Sequence, residues 1–232
     1  MHFEPRHAWD LTPVEARALQ IELAGEVDTA RPLGPIRTIA AADVSFDRHG
    51  IELYAAVVVV EFPSMTTIER IGAITPATFP YVPGLLSFRE TPALLDAFAK
   101  LRTRPDVVLC DGQGIAHPRR LGIAAHLGLW LGLPTIGCAK SRLCGDFDEP
   151  GPDRGDRSPL LDKGEVIGAV VRTRRRIKPL FISPGHRCDL ESAVDLVLAA
   201  STRYRLPDPA RLAHDYVNDV RRAANDGRPI PD

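Results

Sequence analysis

The chain has 232 residues, of which 44% are hydrophobic and 25% are charged, a composition typical of a globular domain with a sizeable core. No apolar run approaches the length of a membrane helix, and the N-terminus carries no secretory signal. We therefore expect a single cytoplasmic domain over residues 1–232, without a membrane partner. Because the formal net charge is −1, overall charge would not attract a nucleic acid, and such a partner would have to meet a local basic patch.

The predicted elements begin with a helix over "LTPVEARALQIELAGEV". Thr12 can cap this helix, Pro13 suits its first position, and Glu15 completes a capping box. The next two segments, "IRTIAAADVSF" and "IELYAAVVVVEF", are rich in β-branched residues and are joined by "DRHG", which predicts a β-hairpin. The segment "TTIERIGAIT" predicts a third strand in the same sheet.

Three prolines and a glycine interrupt regular structure in "PATFPYVPGLL". A second helix is predicted over "TPALLDAFAKL", with Thr91 as its cap and Pro92 at its first position. The apolar run "PDVVLC" is typical of a strand buried on both faces. A helix over "HPRRLGIAAHLGLWLGL" and a short strand over "PTIGCA" follow, and this order indicates a parallel βαβ unit.

The polar segment "GDFDEPGPDRGDRSP" (145–159) predicts an exposed loop and matches no functional motif. A second hairpin is predicted over "EVIGAVVRTRRRIKPLFISPG". In it four basic residues alternate, which predicts either a nucleic-acid-binding strand face or a merely solvated one; they are Arg172, Arg174, Arg176 and Lys178. Two helices close the chain, "DLESAVDLVLAAST" and "DPARLAHDYVNDVRRA", the second capped by Asp208. The whole order predicts an α/β fold, a mixed β-sheet flanked by helices in a ribonuclease H-like arrangement.

Two aspartates stand where strands are expected to be apolar. Asp43 lies within "AAADVSF", and Asp111 ends "VVLCD". A charged carboxylate is nearly excluded from a central strand unless it has a partner. If the two strands are neighbours, the aspartates face each other and a divalent cation would relieve their repulsion, with oxygen ligands favouring Mg²⁺ or Mn²⁺. Alternatively, Asp43 bonds to the backbone and Asp111 forms a turn before a glycine.

Three further residues have both a functional and a structural interpretation. Glu90 is a third carboxylate, but its charge also suits the N-terminus of the helix predicted to begin at Thr91. His214 lies beside an apolar stripe of the last helix, where a histidine is usually structural. Lys140 follows a strand and can contact a phosphate, or it can be an ordinary surface lysine.

Five segments between about residues 41 and 214 carry a resemblance to a known family: "AADVSF", "FPYVPGLLSFRE", "DGQGIAHPRRLGIAAHLGL", "GCAKS" and "ARLAH". Together they resemble endonuclease V, the deoxyinosine-directed repair nuclease. The resemblance implies a ribonuclease H-like fold, a requirement for Mg²⁺, and hydrolysis of the second phosphodiester bond 3′ to a deoxyinosine.

From this resemblance we expect a monomeric DNA-repair hydrolase. Its partner would be double- or single-stranded DNA containing deoxyinosine, and Mn²⁺ would substitute for Mg²⁺. One alternative is a ribonuclease for inosine-containing RNA, as some relatives are. Another is a lesion-binding protein without catalysis, which would be expected to lose at least one of the acidic residues.

The resemblance also implies roles for individual residues. Asp43 and Asp111 would ligate the metal, while Glu90 would belong to the same acidic cluster and act through water. His214 would be the histidine of the catalytic site, and Lys140 its lysine.

The segment "PYVP" resembles the strand-opening wedge of the family, with Val82 where isoleucine is usual. The resemblance implies that Tyr81 inserts beside the damaged base while Pro80 and Pro83 stiffen the loop. Without the resemblance, Tyr81 would be a loop aromatic that is as readily packed on the core.

The resemblance further implies a pocket that reads hypoxanthine through main-chain groups. Its walls would include Gly84, Leu85, Gly112, Gly114 and Gly122. Gly112 and Gly114 would let the backbone approach a base or phosphate where a Cβ would clash.

A basic segment completes the expected DNA contacts. His117, Arg119 and Arg120 precede or open the predicted third helix, whose positive end favours phosphate. We expect the two arginines to hold the DNA backbone.

Overall fold

The computed structural model describes residues 1–47 and 50–231. Its centre is an eight-stranded mixed sheet in the order β3-β2-β1-β4-β5-β8-β7-β6. The strands are β1 (Thr38–Phe46), β2 (Glu52–Glu61), β3 (Thr67–Pro76), β4 (Val107–Cys110), β5 (Thr135–Ala139), β6 (Arg157–Asp162), β7 (Glu165–Val171) and β8 (Leu180–His186).

The strand pairings follow the predicted order. β1 pairs antiparallel with β2 and β2 with β3, so the first hairpin and the third strand are confirmed, although Arg48 and His49 of its link lie outside the described residues. β1 runs parallel to β4, and β4 parallel to β5, which confirms the βαβ unit. β8 pairs antiparallel with both β5 and β7, so the second hairpin is also confirmed.

Helices cover both faces of this sheet. In the described ranges they are α1 (Pro13–Ala24), α2 (Leu86–Lys100), α3 (Ile123–Leu131), α4 (Leu190–Ala199) and α5 (Asp208–Asn225). α2 and α3 pack on one face, and α4 and α5 on the other. Because both faces are covered, β2 is buried from Leu53 to Val60, and each of its valines contributes roughly 1.5–3 kcal/mol by burial. The predicted ribonuclease H-like α/β fold is confirmed.

The first helix begins as predicted. The Thr12 side chain accepts a hydrogen bond from the Glu15 backbone, and the Glu15 carboxylate accepts one from the Thr12 backbone. These two bonds satisfy backbone donors that the first turn would otherwise leave free. None of the helices in the described part of the chain has the length and apolar character that crossing a bilayer requires.

The second helix begins earlier than predicted. It runs from Leu86, so Thr91 and Pro92 lie inside it, and the assignment of Thr91 as its cap was wrong. Phe88 and Glu90 in its first turns are buried. Packing of these turns into the interior outweighs the tendency of a proline, which lacks a backbone N–H, to start a helix rather than interrupt one. Glu90 therefore lies within a helix and not at its N-terminus.

The third and fifth helices also differ in their starts. α3 begins at Ile123, and the preceding Arg120 has a left-handed backbone with φ of 58°, which a helix cannot include. The N-cap position of α5 is Pro207 rather than Asp208, and no side chain makes a capping hydrogen bond there. The Asp208 carboxylate instead accepts a hydrogen bond from the Thr202 hydroxyl at 2.5 Å.

The alternating basic residues do not lie on a strand. β7 ends at Val171 and β8 begins at Leu180, so residues 172–179 form the connecting turn. The prediction of a basic strand face was therefore wrong. The predicted loop 145–159 is confirmed up to residue 156, after which β6 begins.

Candidate active site

The two strands that carry the predicted aspartates are neighbours. In the parallel ladder of β1 and β4, Ala42 lies opposite Cys110, and Asp43 and Asp111 directly follow these residues. The backbone N–H of Asp111 lies 3.4 Å from the carbonyl oxygen of Ala42. The sheet order thus brings the two carboxylates together at one edge, as the sequence led us to expect.

His214 approaches this pair from α5. Its Nδ1 atom lies 2.8 Å from Oδ2 of Asp43, and Asn218, one turn later, donates from Nδ2 to the His214 carbonyl oxygen at 2.8 Å. One oxygen of Asp43, one oxygen of Asp111 and one nitrogen of His214 lie within 4.8 Å of one another. This is a donor set that can hold a metal ion.

The two neighbouring carboxylates at this site favour binding of a cation. Burial, together with the charge of Asp111, raises the pKa of Asp43, and the bond to His214 only partly opposes the rise. The Lys140 ammonium contacts Oδ2 of Asp111, but 41% of the Lys140 side chain is exposed, so it can turn away towards solvent or a phosphate. Carboxylate oxygens with an exchangeable cationic neighbour fit a divalent ion such as Mg²⁺ or Mn²⁺.

Glu90 lies behind this pair, inside α2. Burial, followed by repulsion from Asp43 and Asp111, raises the pKa of Glu90 to about 8, although Arg89 acts in the opposite direction. Glu90 therefore holds a proton at neutral pH in the metal-free protein. It does not belong to the group of three atoms that lie within metal-binding distance, which agrees with an indirect role.

A cavity of about 430 Å³ opens beside Asp111, a volume within the range of small-ligand sites. The predicted residues that line it are Tyr81, Val82, Pro83, Gly84, Asp111, Gly112, His117, Gly122 and Lys140. Of the residues predicted to bind substrate, Pro80, Leu85, Gly114 and Arg119 do not line it, and of the predicted catalytic residues Asp43, Glu90 and His214 do not. The structure thus joins the predicted wedge and one predicted metal ligand around a single cavity.

Tyr81 projects from the wedge into solvent. Its side chain is 64% exposed, so the alternative that it packs on the core was wrong. The loop beneath it is held in place, because Arg89 donates to the carbonyl oxygen of Phe79 at 2.6 Å and the Leu85 N–H donates to Val82 at 2.9 Å. An exposed ring on a fixed loop is suited to insertion into a base stack.

Three side chains hold the carbonyl oxygen of Gly84, the last residue of the wedge loop. Arg119 donates to it at 2.7 Å, His117 at 3.1 Å and Gln20 at 3.1 Å. Burial and the charge of Arg119 lower the pKa of His117 to about 4, so His117 is neutral and carries its proton on Nε2. Gly84 itself has φ of 78°, a conformation that glycine adopts without strain.

These contacts change the expected roles of the two arginines. The Arg119 guanidinium is bound to Gly84 and Gln20. The Arg120 guanidinium is bound to Asp162 and Glu165, at 2.8 and 2.7 Å. Because protein acceptors occupy both, the structure does not place either arginine as a free phosphate-binding group at the start of α3.

The glycines of "DGQG" are required by packing within the protein. A Cβ on Gly114 would lie 1.9 Å from the carbonyl oxygen of Pro184, and one on Gly122 would lie 2.3 Å from that of Gln113. A Cβ on Gly112 would meet the Ile123 side chain at 2.6 Å. Close packing thus accounts for Gly114 and Gly122, while Gly112 also lines the cavity, and the expectation that Gly112 and Gly114 let a ligand approach stays a prediction.

The cavity residues that the sequence did not single out include two buried glutamines, Gln20 and Gln113. Gln20 is buried on α1, and its side chain bonds to Gly84, Leu121 and Arg119. Gln113 donates to the Ser141 carbonyl oxygen at 3.0 Å, while its own Oε1 is buried without a hydrogen-bond partner. The sequence could have pointed to Gln20, because it lies on the same buried face of α1 as Ala16 and Leu23. A polar side chain on such a face needs hydrogen-bond partners.

A sequence model of the Endonuclease V family matches residues 20–215, which is most of the chain. The chain belongs to the endonuclease V family. Among curated relatives, an Endonuclease V from Azotobacter vinelandii is 53% identical over 205 residues, covering 88% of this chain and 93% of the relative. The chain is accordingly a nuclease, a hydrolase of phosphodiester bonds.

Solved structures of endonuclease V share this fold. The enzyme from Streptomyces avermitilis superimposes with a TM-score of 0.89 at 40% identity, covering 95% of this chain and 96% of that one. An endonuclease V from Ciona intestinalis, in complex with a DNA 23mer containing an inosine followed by a ribo-adenosine, gives a TM-score of 0.78 at 25% identity, covering 90% and 97%. The family and the fold therefore agree with the resemblance seen in the sequence.

Proposed function

We propose that this protein is a repair endonuclease that recognises deoxyinosine in DNA and hydrolyses the second phosphodiester bond 3′ to it. One observation carries the proposal: a single cavity is lined both by Tyr81 of the predicted wedge and by Asp111 and Lys140. A flipped base and the phosphates that follow it can occupy such a site together. The inosine-containing DNA bound by the Ciona relative supports the same substrate.

We propose that Asp43 and Asp111 hold the divalent ion, which is Mg²⁺ in the working enzyme and replaceable by Mn²⁺. When bound, such an ion stabilises charge on a phosphodiester and makes a water nucleophilic near neutral pH. His214 holds the Asp43 carboxylate through its 2.8 Å contact. Lys140 leaves Asp111 and pairs with the phosphate, while Glu90 lies behind the aspartates and keeps its proton until a cation offsets the local negative charge.

The base is read, in this proposal, by main-chain groups of the glycines that line the cavity, which include Gly84, Gly112 and Gly122. Hypoxanthine presents a carbonyl oxygen and a ring N–H at its pairing edge, whereas adenine presents an amine that backbone groups of that pattern leave unmatched. Gln20, Arg119 and His117 fix the Gly84 carbonyl, so the wall of the cavity is ordered before a base enters. Tyr81 fills the gap in the duplex.

The experiment is nicking of a duplex with one deoxyinosine, compared with the same duplex carrying deoxyadenosine. In the presence of Mg²⁺ the inosine strand should be cut at the second bond 3′ to the lesion, and EDTA should abolish the cut. Equal cutting of the two duplexes would overturn the specificity. If a correctly folded protein cuts neither duplex, deoxyinosine-containing DNA is not its substrate.

The second candidate is cleavage of inosine-containing RNA. It is favoured by the ribo-adenosine that follows the inosine in the Ciona complex. Matched DNA and RNA oligonucleotides with a single inosine, tested at equal concentration, separate the two candidates by their kcat/KM values.

A further inference from the structure

The turn between β7 and β8 carries an exposed group of basic side chains at residues 174–178, which we name the basic turn. Its charged members are Arg174, Arg175, Arg176 and Lys178, all exposed. Within the described residues only one of these four forms an ion pair, Arg175 with Asp153 at 3.0 Å. The other three charges are available to a ligand, in a protein whose net charge is −1.

The basic turn is held by a buried arginine. Arg172 is 8% exposed and donates to the Glu149 carboxylate at 2.8 Å and to the carbonyl oxygens of Pro150, Gly151 and Ile177 at 2.6–3.0 Å. The Arg176 N–H also donates to Pro152 at 2.8 Å. The loop 145–159, for which the sequence suggested no function, is therefore the support of the basic turn.

The basic turn lies at the same edge of the sheet as the active site. β8 is antiparallel to β5, so the start of β8 lies beside the end of β5, where Lys140 follows. Arg205 makes the link directly, because its Nη2 donates to the carbonyl oxygens of Lys140 at 2.6 Å and of Pro179 at 2.7 Å. Arg205 thus joins the segment that carries Lys140 to the residue that follows Lys178, which places the basic turn next to the active site.

We propose that the basic turn binds the sugar-phosphate backbone of the DNA that flanks the cleavage site. Such contacts add affinity without sequence preference and place the duplex relative to the cavity. The proposal rests on the proposed function for the identity of the nucleic acid.

The test is a salt titration of binding to an undamaged DNA duplex, which requires neither inosine nor cleavage. The variant is Arg174→Gln/Arg176→Gln/Lys178→Gln. The matched control is Arg37→Gln/Arg102→Gln/Arg104→Gln, which removes the same charge from exposed positions before β1 and β4, at the opposite edge of the sheet. Both variants should keep the melting temperature of the wild type, because the altered side chains are exposed.

The plot of log K against log salt has a negative slope, and in the basic-turn variant this slope should be less steep by about two to three. Binding at 0.1 M salt should also weaken by at least about tenfold. The control should change both quantities much less. Equal effects of the two variants, or an unchanged slope in the basic-turn variant, would overturn the proposal.

A second measurement locates the contact. Nicking of deoxyinosine duplexes is compared at subsaturating enzyme, with the DNA shortened on either the 5′ or the 3′ side of the lesion. The defect of the basic-turn variant should vanish on one of the two shortened substrates, and persistence on both would contradict a flanking contact. If the wild type binds DNA with the expected salt dependence but does not nick deoxyinosine duplexes, the proposed function is wrong, whereas the proposed DNA contact of the basic turn is not contradicted.

Discussion

The Nδ1 atom of His214 lies 2.8 Å from Oδ2 of Asp43, and this contact ties the last helix to the first strand across 171 positions of sequence. The His214 side chain is 46% exposed, whereas that of Asp43 is 11% exposed. The histidine thus has Nδ1 directed at a largely buried carboxylate, while its Nε2 lies 3.3 Å from Nδ2 of Asn218 and its side chain is partly exposed. Such a residue can position Asp43 and also exchange protons.

Replacement of His214 should therefore reduce activity more than stability. We expect His214→Ala to lower the nicking rate by about 10²-fold or more, the usual effect of losing a group that transfers or positions a proton. Thermal melting should change little, because the side chain is half exposed. The measurement is the single-turnover rate with Asn218→Ala as the comparison variant, and a rate equal to that of the wild type would contradict the assignment.

Glu90 should make the metal-free protein less stable as pH rises. Its pKa in the folded protein is about 8, compared with an ordinary value of 4.5, so the folded state retains a proton that the unfolded state releases. The free energy of unfolding should therefore fall from about pH 4.5 up to about pH 8 and then level off, with a total loss of no more than about 5 kcal/mol.

Glu90→Gln removes this loss. In EDTA the variant should match the wild type in urea unfolding at pH 4.5 and exceed its free energy of unfolding at pH 9. A stability difference that is the same at both pH values would show that Glu90 does not titrate in this range.

The Gln20 side chain should matter for both stability and substrate binding. Gln20→Leu leaves the Leu121 carbonyl oxygen and the Arg119 Nε–H without their present partner, at a cost of about 1–3 kcal/mol. Because Gly84 also loses one of its three donors, KM for deoxyinosine DNA should rise. Gln20→Glu keeps the acceptor for Arg119 but directs a carboxylate oxygen at the Gly84 and Leu121 carbonyl oxygens, so it should recover neither stability nor KM, and a wild-type KM in both variants would contradict the role of Gln20.

Tyr81 should contribute to activity on duplex DNA and little to folding. We expect Tyr81→Ala to change the free energy of unfolding by no more than about 0.5 kcal/mol, as for other exposed positions. Its nicking of duplex DNA should fall more than its nicking of single-stranded DNA, because only the duplex must be opened. Tyr81→Phe keeps the ring and should stay near the wild type, and equal losses on the two substrates would contradict a wedge.

The sequence predicted the features that depend on strand order. Asp43 interrupts an apolar strand and Asp111 directly follows one, and the parallel pairing of β1 and β4 then places them together. The contact of His214 with Asp43 depends on how α5 crosses the sheet, which spacing in the chain does not specify. The family resemblance indicated His214 as a site residue, and the structure shows that its partner is Asp43.

Other features were set by tertiary contacts that local patterns do not report. Alternation of basic residues suits a strand, but Arg172 is drawn inward by Glu149 and three carbonyl oxygens, so the chain turns there. Pro92 favours the start of a helix, but burial of Phe88 extends α2 before it. The glycines of "DGQG" look like ligand contacts in sequence, whereas Gly114 is needed because the Pro184 carbonyl lies against it.

The arrangement of Asp43 and Asp111 is tested most directly by Mn²⁺ binding, followed by electron paramagnetic resonance without DNA. The wild type should bind Mn²⁺ saturably, and Asp43→Asn and Asp111→Asn should each weaken that binding by at least about tenfold, the lower end of what loss of a ligand or its supporting partner costs. Asp146→Asn, a change at an exposed carboxylate paired with Arg142, is the control and should bind as the wild type does. If both active-site variants bind Mn²⁺ as tightly as the wild type, the two aspartates do not share a divalent cation.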